Sequence, residues 1–442
     1  MYIRYTVILR GYNLQEFVAA DGQLCAALLE REFDAKTIRV LLMDTGFKRV
    51  FHASADLVLG CGADLEYENA KGKMVGERLE AGTQLTVGPD SPYLEYGRMI
   101  ITPDEPEAIT IRSIERSQGT PVYSGSLEIK GTPEGLVLVN DLFLEDYLTK
   151  VVPSEMPPSY EKEALKAQAV CARTYAYRQI QGNTYSQYGA HVDDSTNFQV
   201  YNNTSANDKS TQAVKETYGK MLFYEDKPIE AFYFSTSCGR TADAGVWGTD
   251  SGKYPYLRAV EVKEGGKSLG KEDNDGFESY IKREDVIAYD TSYPMFRWQT
   301  DLPADVASAQ ISGAGQIQDM TVTDRGPGGI AGELTVTGSD GTVTIKGQSA
   351  IRSALGNPSL IITKKDGGTM TGSATLPSAF IAIEKRTGED GSLSFHIYGG
   401  GFGHGVGMSQ NGAQGMAKTG KGYKQILDFF YHGTELRECN EG

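Results

Sequence analysis

The chain is poor in several things. Five cysteines in 442 residues, at positions 25, 61, 171, 238 and 439, are odd in number and lack CxxC spacing. That excludes a disulfide framework and a zinc knuckle, leaving an expectation of mostly buried thiols. Long apolar runs are missing as well. No stretch is long enough to span a bilayer, and Tyr2–Gly11 is too short and too polar for the hydrophobic core of a secretory signal, so the chain reads as soluble as written. Positive charge is scarce: 43 Lys and Arg face 58 Asp and Glu, a net charge of −15. A nucleic-acid binder or an anionic-membrane binder needs a basic face, so both classes are disfavoured, and a neutral or sugar-like ligand fits better.

What is present is organised around residues 142–180, LFLEDYLTKVVPSEMPPSYEKEALKAQAVCARTYAYRQI. An apolar, strand-like run leads through a proline-bracketed turn, Pro153-Ser154-Glu155-Met156-Pro157-Pro158, into an alanine-rich helix. Ser159 is a good N-cap and Glu161 and Glu163 suit the first turn, so the spacing predicts a helix from about Tyr160 to Ile180. Alanines at 164, 167, 169, 172 and 176 keep it slender, and it reads as buried on more than one side. Lys166 and Arg173, two turns apart, share a face; their plain alternative is a solvated edge. Glu155 on a stiff turn among Val151, Val152 and Met156 is a candidate general acid, against the alternative of an ordinary exposed turn glutamate.

VVPSEMP followed by EALKAQAVCARTYAY resembles the signature of the stage II sporulation protein D (SpoIID) family, lytic transglycosylases that cut peptidoglycan glycan strands, and of the related amidase enhancers. A second block, Gly401-Phe402-Gly403-His404-Gly405-Val406-Gly407-Met408-Ser409-Gln410 running into NGAQGMA and YKQILDFFYHGTEL, resembles the family's C-terminal signature. Two long blocks in the same order are far more specific than any short motif. The resemblance implies Glu155 as the catalytic acid, with Lys166, Arg173, Ser235, Ser237, Thr241, His404, Ser409 and Gln410 binding the glycan. It implies no cofactor, peptide-stripped glycan strands as substrate, a partner amidase and a membrane anchor protein, and an extracytoplasmic, membrane-associated place for which the sequence shows no signal.

The fold class read from the chain is α+β: β-rich mixed sheets around one buried Ala-rich helix, with an active-site groove. Residues 1–118 read as a β-rich accessory region with strands at Thr37–Leu42 and Leu57–Gly60 and a short helix over Ala19–Glu32; His52 reads as structural. Residues 119–260 read as the first part of a catalytic core. It contains two strands about Gly131-Thr132-Pro133-Glu134-Gly135, a helix over Thr211–Thr217, and strands over Lys220–Tyr224 and Pro228–Ser235. Asp193 and Asp194 offer a second carboxylate, but a turn with Asx-type hydrogen bonds is the favoured reading. Some family members hold zinc here with cysteines and a histidine. This chain has Asp193, Asn197 and Phe198 near those places, and His191 alone makes no zinc site, so no metal is expected.

The exit Ser235-Thr236-Ser237-Cys238-Gly239-Arg240-Thr241 suits a binding loop. Cys238 with His404 as its base is a rival cysteine-peptidase reading. Trp247 suits sugar stacking, although an isolated Trp is more often core. Residues 261–378 read as an inserted β-rich subdomain with a helix near Arg283–Ala288. Residues 379–442 return to the core with a strand at Phe395–Tyr398, seven glycines between 399 and 412, and a helix beginning near Ser409. Neither a Walker loop nor GxGxxG fits this register. One marked carboxylate suits a lytic transglycosylase better than a two-carboxylate hydrolase. A non-catalytic peptidoglycan-binding amidase enhancer is the alternative.

Overall fold

The computed structural model describes residues 37–182, 184–203, 205 and 207–438, with the backbone of 14–20 and 23–29. Tyr2–Gly11 and Cys439 lie outside the described residues. Two compact units form, Met1–Ile229 with Leu436–Gly442, and Glu230–Glu435.

In the first unit, the turn around Pro133 and Glu134 closes a hairpin of Ser126–Thr132 and Gly135–Phe143, with Thr132 opposite Gly135. Gly135 is required there: at its φ of 137° a Cβ would lie 2.7 Å from the His52 carbonyl. The hairpin is the middle of a seven-stranded sheet. Thr37–Leu42 and then the parallel Val192–Asp193 flank it on one side, and Arg98–Pro103, Ala63–Glu68 and Met74–Leu79 on the other. A second, four-stranded sheet contains Ala55–Leu59, the strand read as Leu57–Gly60. Ala19–Ala20 and Gln23–Leu29, expected as one helix, lie instead in two antiparallel strands, Leu14–Ala20 and Gln23–Leu29, and the rest of that expected helix lies outside the described residues. The sequence signal passed over was Asp21-Gly22 between two apolar runs, a hairpin dipeptide.

Helix α1 spans Leu144–Glu155, α2 Lys162–Ile180 and α3 Asp208–Glu216. Helix α1 replaces the expected turn. Glu145 and Asp146 favour its N-terminus, and Pro153, in its last turn, forfeits only one late hydrogen bond. It stops at Glu155 because Met156 precedes Pro157, which drives Met156 to an extended φ of −134° and ψ of 130°. Helix α2 is buried continuously from Ala167 to Arg173, on every face, as its alanines predict. Its N-cap is Glu161, not Ser159. Helix α3 begins earlier than expected because Asn207 caps it, accepting from the Lys209 and Ser210 amides.

The second unit carries a five-stranded sheet, ordered Thr369–Thr371, Ile361–Lys364, Trp298–Pro303, Leu393–Gly399, Ile381–Thr387, and a three-stranded sheet from Ile317 to Lys346. Its helices are α4 (Asn274–Ile281), α5 (Ala304–Gln310), α6 (Gln348–Leu355), α7 (Gln410–Lys418) and α8 (Tyr423–Phe430). The helix expected over Arg283–Ala288 is α4, earlier in the chain, because Asp273 caps it by accepting from the Gly276 amide. The strand expected over Pro228–Ser235 shrinks to Lys227–Pro228 and Tyr233–Phe234. The architecture is α+β. Among the described residues no helix is long and apolar enough to cross a membrane.

Candidate functional site

Glu155 is the last residue of α1 and is half-buried. The Val200 amide donates to its Oε1 at 2.7 Å, tying the acid to the segment that follows Asp193 and Asp194. A carboxylate at a helix C-terminus faces the negative end of the helix dipole, so helix stability alone does not favour an acid there. Tyr147, on the same helix, is fully buried, and its hydroxyl donates to Gln199 Oε1 at 3.4 Å. Burial first, and the charge of Glu155 after it, hold the Tyr147 phenol well above its ordinary value. Val200, Tyr147 and Gln199 carry no mark in the sequence that would have named them.

Arg173 is 1 % exposed and forks onto Glu145, with Nε to Oε1 at 2.6 Å and Nη2 to Oε2 at 2.7 Å. It also donates to the carbonyls of Val214 at 3.3 Å and Lys220 at 3.2 Å. Glu145 and Glu155 stand ten residues apart on one helix, roughly 15 Å along its axis at about 1.5 Å per residue. The guanidinium therefore joins α1, α2 and the end of α3, and does not accompany Glu155. Lys166 keeps its charge near the surface and pairs with Glu163 at 2.8 Å and Glu216 at 2.7 Å. Together these two lysine bridges and the arginine fork account for the cationic face of α2.

Asp193 behaves as its turn reading predicts. Its Oδ1 accepts from the Ser195 amide at 2.8 Å and hydroxyl at 2.7 Å, and its Oδ2 from Tyr185 at 2.8 Å and Asn197 at 3.1 Å. Asp194 is fully buried, accepts from the Met43 amide at 3.0 Å and pairs with Arg116, whose side chain is also fully buried. Both carboxylates are thereby spent on structure. His191 Nδ1 accepts from the Arg39 amide at 3.1 Å.

In the second unit the serine-rich exit and the glycine-rich loop, distant in sequence, come together. Tyr233–Phe234 pairs in parallel with Met408–Ser409, and Thr236 bridges Phe402. Glycine is obligatory along this seam. A Cβ on Gly407, whose φ is +76°, would lie 2.1 Å from the Phe232 carbonyl. Beneath it lies Asp290, fully buried, which accepts from the Ser237 amide at 2.8 Å, the Ser237 hydroxyl at 3.0 Å and the Ser409 hydroxyl at 2.9 Å. Burial pushes its carboxyl up to about 6. Ser409 also caps α7, accepting from the Gly412 amide at 3.1 Å.

Thr241, 1 % exposed, accepts from the Val260 amide at 2.9 Å, and Gln410 is buried at the start of α7. So Ser237, Thr241 and Ser409, expected as binding groups, keep their hydroxyls inside the fold and shape the backbone instead. Ser235 is half-buried, and the Asn411 amide donates to its carbonyl at 2.9 Å. Asp290 is a residue that sequence reasoning missed, because its two serine partners are 53 and 119 positions away.

His404 is not presented on a bare loop. Its Nδ1 accepts from the Val406 amide at 3.1 Å, so its Nε2 carries the proton and donates to the Tyr233 carbonyl at 2.9 Å. Phe234, Trp247 and Phe232 pack around the ring, with centroids 5.7, 5.5 and 6.1 Å away. Burial lowers its imidazole to about 4, so it is neutral at pH 7. Cys238 is fully buried, donates to the Arg240 carbonyl at 3.8 Å and is pushed up to about 11 by burial. A base with both nitrogens occupied and a thiol without solvent access do not make a nucleophilic dyad. Trp247 is 40 % exposed and Phe402 41 %, so Trp247 is not the core residue its isolation suggests.

Residues 132–224, which hold Glu155, Lys166 and Arg173, match the family model described as stage II sporulation protein. Residues 244–407 match a second model, described as a domain of unknown function. The stage II sporulation protein D of Bacillus subtilis (strain 168) is 32 % identical over 342 residues, 72 % of this chain and 84 % of that protein. The chain belongs to the stage II sporulation protein D family. The family's member from Bacillus amyloliquefaciens is 32 % identical over 317 residues, 68 % of this chain and 76 % of that protein. The amidase enhancer of Bacillus subtilis (strain 168) is 32 % identical over 311 residues, 65 % of this chain but 40 % of that longer protein.

Proposed function

We propose that this protein is a peptidoglycan lytic transglycosylase, cleaving the bond between MurNAc and GlcNAc to leave 1,6-anhydro-MurNAc ends during sporulation-linked cell-wall remodelling. The observation that carries this is the asymmetry of the carboxylates. Glu155 ends a helix, half-buried, with the Val200 amide on its Oε1, whereas Asp193 and Asp194 lie fully buried in turn hydrogen bonds and the Arg116 pair. A hydrolase needs a second carboxylate to activate water or attack the anomeric carbon; a transglycosylase needs one group acting twice.

In this reading Glu155 protonates the glycosidic oxygen as the bond to the anomeric carbon breaks. As a carboxylate it then takes the proton from the 6-hydroxyl, whose oxygen closes on that carbon. No water is consumed and the acid is restored. Lys166, paired with Glu163 and Glu216, and Arg173, forked onto Glu145, act as positioning residues that hold α2 against α3 and α1. In the second unit we assign sugar positioning to the surface at Ser235, with His404, Gln410, Ser237, Thr241 and Ser409 shaping it from behind. Peptide-stripped strands as substrate, a partner amidase, a membrane anchor protein and an extracytoplasmic place belong to the same proposal, with no cofactor.

The test is mass analysis of products from peptide-free strands. Wild-type protein should yield anhydro ends, and Glu155→Gln should lower their rate by about a thousandfold or more while keeping glycan binding. Reducing ends would make it a hydrolase. Binding without turnover by the wild type would favour the amidase-enhancer reading, which the name of one relative supports.

A further inference from the structure

The five-stranded sheet of the second unit opens a cleft of about 270 Å³ with Trp298 in its wall and Lys282, Arg297, Lys364, Lys365 and Glu284 around it. A chain with a net charge of −15 has gathered four cations and one acid at a single concave place. How those cations are neutralised is informative. Lys282 is satisfied by Glu278 and Glu384. Arg297, 7 % exposed, is not: it donates to the carbonyls of Cys238 at 2.8 Å, Phe296 at 2.9 Å, Arg283 at 3.2 Å and Tyr280 at 3.4 Å, none of them charged. Lys365 donates to the Thr291 carbonyl at 3.0 Å and lies 5.2 Å from the Phe296 ring centre. Lys364 Nζ has no hydrogen-bond or ion-pair partner among the described residues, and Glu284 forms no ion pair with any of the three.

By contrast, the buried Arg116 and Arg173 are matched by Asp194 and Glu145. Arg297, Lys364 and Lys365 line one cleft with no carboxylate among the described residues paired to any of them, so a bound oxyanion would neutralise charge that the protein leaves uncompensated there. The neighbouring wall narrows the ligand further. Gln299 and Thr363 offer neutral polar groups, and half-buried Tyr398 lines the same cleft, the combination that serves hydroxyls and a sugar ring face. The volume lies just below the roughly 300–1,000 Å³ usual for ligand pockets, which suits one sugar-sized group.

We propose that this cleft binds an acidic saccharide, one residue of which places a carboxylate or phosphate ester oxyanion among Arg297, Lys364 and Lys365. The site lies within residues 244–407, the stretch matching a domain of unknown function, and does not depend on the reaction assigned to Glu155.

The experiment is calorimetric titration of the full chain with glucuronic acid, glucose 6-phosphate and inorganic phosphate, with glucose as the neutral control. At least one acidic sugar should bind about tenfold or more tightly than glucose, and that preference should weaken as salt is raised. Which acidic sugar binds identifies the source of the oxyanion; phosphate binding alone would reject the saccharide. Lys364→Glu combined with Lys365→Glu should lower the affinity about tenfold or more with the thermal midpoint kept, and Lys364→Gln with Lys365→Gln decides the matter if charge reversal prevents folding. Equal binding of glucose and both acidic sugars, or full affinity in the folded double variants, overturns the proposal.

Discussion

Arg173 and Glu145 form a two-bond fork, 2.6 and 2.7 Å long, with both side chains shut away from solvent. Removing one partner of such a pair strands a buried charge. Arg173→Ala should therefore lose about 3–5 kcal/mol of folding stability, seen as a lowered urea midpoint with unchanged slope. Arg173→Lys, which keeps the charge but not the fork, should lose less and retain its activity per folded molecule within a few-fold. A folded but inactive Arg173→Lys protein would place the guanidinium at the substrate instead.

Asp290 and His404 give folding stability opposite dependences on pH. The Asp290 carboxyl is raised from 3.8 to about 6, so the native protein keeps a proton that the unfolded chain has lost, and stability falls as pH rises across that window. The expected size is on the order of 3 kcal/mol. The His404 imidazole is lowered from 6.5 to about 4, so its contribution is lost as pH falls from 6.5 toward 4. Urea unfolding measured across this range should show a steeper rise with pH in Asp290→Asn and a steeper fall in His404→Gln than in the wild type. Unchanged slopes in both variants would show that neither group titrates as its burial requires.

Two glycines, Gly407 on the seam and Gly420 beyond the end of α7, separate two kinds of strain. Gly407→Ala combines a positive φ of 76° with a Cβ 2.1 Å from the Phe232 carbonyl, and should cost about 3 kcal/mol or more, or prevent folding. Gly420→Ala, with a φ of 87° and nothing within 4 Å, should cost only about 1–2 kcal/mol. Equal losses in thermal or urea unfolding would remove the steric account of why Gly407 is required.

Much of the local structure follows from the sequence by itself. The alanines of α2 announce a slender helix packed on all sides, the Gly-Thr-Pro-Glu-Gly turn announces its hairpin, and the pair Met156-Pro157 dictates where α1 ends and hence that Glu155 sits at a terminus. These are effects of propensity, sterics and periodicity, which act within a few residues. The serine exit and the glycine loop were each legible as special, but not as partners. Only the tertiary structure decided that they share a seam over Asp290, that His404 spends both nitrogens on backbone groups, that Asp194 is claimed by Arg116, and that Arg173 serves Glu145. Apart from the local Val406 bond to His404, each of those outcomes depends on which donor meets which acceptor across tens to hundreds of positions once water is excluded, and no local pattern in a chain encodes that meeting.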